Sequence, residues 1–184
     1  PEIAVYSVDQ LLDQAAAVGV EGVIDCGCEL HHLMTAIDMA REHTGSVWAA
    51  IAIHPNEAVL HGHRGAPGPD GLPVRYKPWH DVPFDEAMTE VRRLAKAYPK
   101  QVVAIGETGM DLFRTGESAK EIQREAFRDH IAVAKELDLP MQIHDRDAHR
   151  DVIETLLADG APPKTVFHRY SGAAAMGGIA REHG

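Results

Sequence analysis

The sequence predicts an α/β protein built on a parallel sheet. Short runs that stay apolar along their whole length alternate with longer segments in which apolar residues recur every three or four positions. Strands buried on both faces by crossover helices produce that alternation. In addition, four of the five apolar runs stop on a residue able to bind a metal or move a proton: His54, Glu107, His144 and His168. The carboxyl ends of parallel strands share one face, so residues distant in sequence meet there.

Taken in order, Ser7 opens a helix in which Gln10 completes a capping box, Val8, Leu11, Leu12, Ala15 and Ala16 form the apolar side, and Gly19 ends the run. Residues 20–27, VEGVIDCG, form a short strand. Leu30 to His43 return to helical spacing through Leu33, Ile37 and Ala40, and Val47 to Ile53 are an apolar strand that stops at His54 and Pro55. Phe84 to Tyr98 are helical. The strand Val102 to Gly106 then delivers Glu107 and Asp111 into a glycine-containing loop. Ser118 and Glu121 make a capping box for the longest helix, which runs to Leu137 with Ile122, Ala126, Phe127, Ile131 and Ala134 on its apolar side. Pro140 to Ile143 form a strand ending at His144, Asp147 caps a helix to Leu157, and Thr165 to Phe167 form a strand ending at His168. A last helical stretch reaches Glu182. Right-handed crossovers connect such units.

The period is lost from His61 to Pro83, which hold Pro67, Pro69, Pro73, Pro78 and Pro83. This Pro/Gly-rich insertion (61–83) within one domain (1–184) is either a surface excursion or a lid carrying Tyr76 and Trp79.

A chain of 184 residues, 45% hydrophobic, buries a core without needing disulfides or metals merely to fold. Its 18 Lys plus Arg against 28 Asp plus Glu give a net charge of −10, which opposes adsorption to duplex DNA or acidic membranes through charge alone. Nucleic-acid contact must then be local or metal-mediated. No run is long enough to span a bilayer and the amino terminus lacks the layout of a secretion signal, so a cytoplasmic location is expected. Cys26 and Cys28 are separated by one residue, an awkward spacing for a disulfide, and two cysteines do not complete a zinc site; they are expected to be small buried thiols. His31, His32, His61 and His63 are expected to be solvated.

Histidine and carboxylate together suit zinc, manganese and similar divalent ions, which acidify water and polarise a phosphoryl or carbonyl oxygen, and a hydrolase follows. One histidine after a strand is ordinarily a loop or core residue; several in register weaken that reading. Arg146 either grips a phosphate or pairs with Asp145 at the surface. Ser171 either begins a helix whose backbone donors receive an anion or simply caps it. Asp111 either orients a ligand or belongs to a turn. A Ser-His-Asp triad through Ser171 lacks a nucleophile-elbow pattern.

The segments AIAIHPNEA, VVAIGETGMDLF, QREAFRDHIAVAKELDLPMQIHDRDA and VFHRYSG, in that order, resemble the TatD family of metal-dependent deoxyribonucleases, amidohydrolase-like TIM barrels. The resemblance implies a two-metal site (Mg, Mn or Zn) on the carboxyl face, with Glu107 sharing metals, His144 and His168 binding one of them, and His54 at the substrate-side rim. It implies hydrolysis of DNA, at single strands or ends, by metal-activated water with no side-chain nucleophile, and Arg146 near the substrate phosphate. The family opens with a strand carrying His-x-His and closes its site with an Asp after a late strand; neither lies within 1–184, and a barrel takes about 250 residues. The expectation is therefore an incomplete TIM (β/α) barrel, parallel strands two to six with flanking helices, holding at most one ion, inactive alone and prone to self-association through its open edges. Two other readings stand beside it: an amidohydrolase-like hydrolase of lactones, amides or phosphotriesters, and a non-catalytic scaffold that binds a partner through the insertion.

Overall fold

In a computed structural model, which describes residues 6–62, 71–73, 75–170, 172 and 178, five parallel strands pair in chain order. They are β1 (Val23–Gly27), β2 (Val47–Ile51), β3 (Val102–Asp111), β4 (Met141–Arg146) and β5 (Val166–Phe167). A doubly wound sheet would break that order where the winding reverses; an unbroken run of sequential neighbours is the wall of a (β/α) barrel. The α/β class with flanking helices is therefore present, and among the described residues β1 and β5 each lack a partner on one side.

The helices are α1 (Val8–Ala17), α2 (Leu33–Glu42), α3 (Pro55–Ala58), α4 (Phe84–Ala97), α5 (Leu112–Thr115), α6 (Lys120–Leu137) and α7 (His149–Asp159). Ser7 caps α1 with the expected reciprocal bonds to Gln10, but none of the helix is buried and Leu11 keeps 51% of its surface. The core lies further along the chain. Leu33 and Ile37 of α2, Ile51 of β2, Val91 of α4, Ile105 of β3, Phe127 and Ile131 of α6, and Met141 and Ile143 of β4 are fully or almost fully buried. Each large apolar side chain so placed contributes about 1.5–3 kcal/mol.

Several local expectations change. The strand expected to end at Gly106 runs on to Asp111, so Glu107 and Asp111 sit in β3 and not in a following loop. The glycines permit this: a Cβ on Gly106 would lie 2.5 Å from the Gln142 Cβ, and one on Gly109 (φ +136°) only 2.1 Å from the His144 carbonyl oxygen. Ser118 does not cap α6, because a 3-10 turn (Glu117–Ala119) precedes that helix and Ala119 takes the cap position. Asp147 adopts a left-handed conformation (φ 55°) and leaves the cap of α7 to Ala148. The insertion is partly built in. His80, in a 3-10 turn over Pro78–Asp81, is fully buried with its Nε2 2.6 Å from Glu57 Oε2, and His61 is buried with Nδ1 2.7 Å from the Val82 carbonyl. His61 is thus not solvated, because the returning arm covers it; His63 and most of the final helical stretch lie outside the described residues.

Candidate metal centre

Glu107 is aimed by a β-bulge. On β3, Gly106 pairs with Gln142 and Thr108 with Ile143, which leaves Glu107 as the extra residue between them; bulges bend a strand and redirect a side chain. Its Oε1 lies 2.8 Å from His144 Nδ1 and 3.9 Å from His168 Nε2. The other nitrogen of His144 meets Asp111 Oδ2 at 3.0 Å. The His54 ring stands edge-on to that of His144, with centroids 4.4 Å apart. Residues within β3 and β4 and just after β2 and β5 thus converge.

The charges are strongly coupled. Burial opposes a charge on His144, but its bonds to Asp111 and Glu107 outweigh burial and raise its pKa to about 9. Burial likewise works against the Glu107 carboxylate, yet the bond from His144 and the nearby His54 and His168 hold its pKa below the ordinary value. Asp111, also opposed by burial, receives bonds from His144, the Arg114 N–H and Asn56 and is held at about 2. His54 is pushed down to about 4, first by burial and then by the neighbouring His144 charge. Two carboxylates clasping an imidazolium form a site whose own groups call for a cation.

A divalent ion fits the donor set. His54, Glu107 and His144 each offer one atom, all within 4.8 Å of one another, so a small inward adjustment would bring them to the distances of about 2.0–2.2 Å that ligands keep around one ion. His168 also approaches Glu107, with 38% of its side chain exposed and its Nδ1 3.2 Å from the Gln142 amide. Binding an ion through His144 requires loss of its proton and release of one carboxylate contact, so proton and metal compete.

The cluster lines a cleft of about 470 Å³ together with Asp145, Arg146 and Arg169. Arg146 lies over the Phe113 ring, 3.9 Å from its centroid. It does not form a surface pair with Asp145, which is buried and bonds His149 Nδ1 at 2.6 Å. Asp111 meets His144 Nε2 at 3.0 Å and caps α5 through the Arg114 N–H at 2.7 Å. Ser171 lies outside the described residues. Cys26 and Cys28 are free and only half-buried; burial raises both thiols, Cys28 to about 12. His31 is exposed as expected, but it stacks on Trp79 at 4.9 Å.

Sequence reasoning missed the supports. Asn56 gives its backbone N–H to His54 Nδ1 at 3.2 Å and its amide to Asp111 Oδ2 at 3.0 Å. Gln123, fully buried in α6, bonds both backbone groups of Asp111, at 2.8 and 3.1 Å. Fully buried His130 accepts from the Ile53 N–H at 3.0 Å, fixing the residue before His54. A polar residue on the core side of α6 was the available signal for Gln123 and His130; Asn56 carried none.

Histidines and a redirected carboxylate at the carboxyl ends of barrel strands place the chain in the class of metal-dependent hydrolases built on this barrel. Within that class it belongs to the TatD-related DNase family, whose model matches residues 4–182. The metal-dependent hydrolase TatD of Mycobacterium tuberculosis is 36% identical over 174 residues, covering 92% of this chain and 56% of that protein. The 3'-5' ssDNA/RNA exonuclease TatD of Erwinia amylovora is 31% identical over 169 residues, covering 91% and 55%. The crystal structure of the Escherichia coli TatD homologue YjjV superposes with a TM-score of 0.72 at 24% identity, over 93% of this chain and 57% of that one. The chain thus spans just over half the length of these relatives. No helix among the described residues is long and apolar enough to cross a membrane.

Proposed function

We propose that the protein hydrolyses phosphodiester bonds in DNA, at single strands or ends, with water activated by divalent ions (Mg, Mn or Zn). One observation carries the reading: His54, Glu107 and His144 offer donors within 4.8 Å of one another in a cleft that also holds Arg146 and Arg169. The family description and the exonuclease name of the Erwinia relative support a nucleic-acid substrate.

Glu107 and His144 are the central ligands in this proposal. His168 completes the set from β5, and His54 stands between ligand and substrate. The bound cation would supply acidified water and polarise the phosphoryl oxygen. Asp111 orients His144, since an outer carboxylate fixes the ring and its basicity. Neutral His54 can take up or pass on a proton near the cleft. Arg146, its plane set by Phe113, presents paired donors to a phosphate oxygen, and Ser171 is assigned to the same substrate.

The test is release of nucleotides from end-labelled single-stranded DNA with Mn or Mg, beside chelator and Glu107→Gln controls and a lactone and amide panel. Metal-dependent DNA cleavage abolished by the variant is expected. Hydrolysis confined to the ester and amide panel would overturn the assignment. The assay is run on the longest protein carrying this sequence and, in parallel, on the 184 residues alone, where at most one ion and no turnover are expected.

A further inference from the structure

A second cavity, of about 220 Å³, is lined in part by Asn56, Arg75, Lys77 and Arg114. The two spaces share their supports. Asn56 bonds Asp111 and His54, and the Arg114 N–H bonds Asp111. We propose that this cavity is a phosphate subsite, in which Arg75 and Lys77 of the insertion hold a neighbouring phosphate of the nucleic-acid strand whose end occupies the metal cleft. The inference rests on the nuclease reading above.

Its chemistry is unusual for this chain. Elsewhere many cations are matched to local carboxylates: Arg41 to Asp38, Arg93 to Glu90, Arg124 to Asp151, and Arg92 and Lys96 to Glu136. Among the described residues neither Arg75 nor Lys77 enters an ion pair, although the chain carries a net charge of −10. The two carboxylates that also line the cavity have partners: Glu57 binds His80 at 2.6 Å, and Glu29 lies 3.8 Å from His32. Arg75 and Lys77, with no carboxylate at ion-pair distance among the described residues, therefore have donors suited to an anion.

Lys77 is also mounted on a firm support. The Lys77 N–H bonds His80 Nδ1 at 3.0 Å, the other nitrogen of His80 is tied to Glu57, and Trp79 in the same turn stacks on His31. Sites held by packed, hydrogen-bonded supports lose less entropy on binding than those on free arms. A strand leaving the metal cleft past Asn56 would meet this pair next.

The test is fluorescence anisotropy of a labelled single-stranded oligodeoxynucleotide over a salt series, in chelator so that no cleavage occurs. It compares the protein with Arg75→Ala/Lys77→Ala and with Arg75→Lys, and thermal melts establish that the variants fold. The double variant is expected to bind several-fold more weakly, with its log–log salt slope shallower by about 0.7 for each phosphate contact removed from a single strand; Arg75→Lys keeps most of the slope. Equal slopes for protein and double variant would overturn the subsite, while metal-dependent cleavage by the same preparation would leave the nuclease reading standing. Inorganic phosphate in a separate titration distinguishes a free anion from a strand: if it binds the protein but not the double variant while the oligonucleotide slopes coincide, the cavity takes a small anion and the strand subsite is wrong.

Discussion

Replacing His130 with Gln should flatten part of the acid sensitivity of this protein. His130 is fully buried, its Nδ1 lies 2.7 Å from the Ala126 carbonyl, and its Nε2 accepts from the Ile53 N–H, so the folded state holds it neutral. Burial lowers its pKa from 6.5 to about 4. Below about pH 6.5 the unfolded chain takes up a proton that the folded chain refuses, so stability falls as pH drops toward 4. The full shift corresponds to roughly 3 kcal/mol, of which about 2 kcal/mol is lost by about pH 5. That is a large share of the typical margin of a domain. Gln cannot titrate, and its amide offers both an NH2 donor group and a carbonyl acceptor. Urea unfolding of both proteins near pH 7.5 and near pH 5 measures the difference directly. The advantage of the natural protein over His130→Gln should shrink by about 2 kcal/mol on acidification; an advantage that stays constant would show that the buried-neutral account of His130 is wrong.

Other consequences are equally measurable. Gly109→Ala places a methyl 2.1 Å from the His144 carbonyl oxygen, and urea unfolding should show a loss of roughly 3 kcal/mol; a neutral result would mean that β3 and β4 can part at no cost. Asp111→Asn removes the charge that meets His144 Nε2 at 3.0 Å and should weaken Mn binding by about 10–100-fold in calorimetry, whereas unchanged affinity would remove Asp111 from the support of the site. His80→Ala strips Glu57 of its partner and should cost about 2 kcal/mol while speeding protease cleavage within 71–83; an unaltered digest would argue against the anchoring described. Among the described residues β1 and β5 each have an unpartnered side, and Ile24 is 52% exposed on β1, so we expect self-association of the 184 residues; a sharp monomer peak in light scattering would count against it.

Local pattern determined much of this protein. Uniformly apolar runs such as VWAAIAI and the spacing of Phe127, Ile131 and Ala134 specified buried strands and amphipathic helices, because periodicity depends only on neighbours along the chain. The same logic brought His54, Glu107, His144 and His168 to one face, although Glu107 and His144 lie inside their strands and not at the ends. The caps at Ser118 and Asp147 failed because a 3-10 turn and a left-handed residue, set by packing, took over those helix starts. The tertiary structure alone decided the rest. Whether β3 stops at Gly106 or continues as a bulged strand depends on how closely β4 approaches, and no window of local sequence contains that distance. His54 joins Glu107 and His144 because Asn56, bonded to distant Asp111, holds its ring and distant His130 fixes the preceding Ile53, and His61 is buried because an irregular arm folds back over it. Sequence chose the chemical groups of the site; the burial and hydrogen bonds that fix their charges arise only when segments distant along the chain are packed against one another.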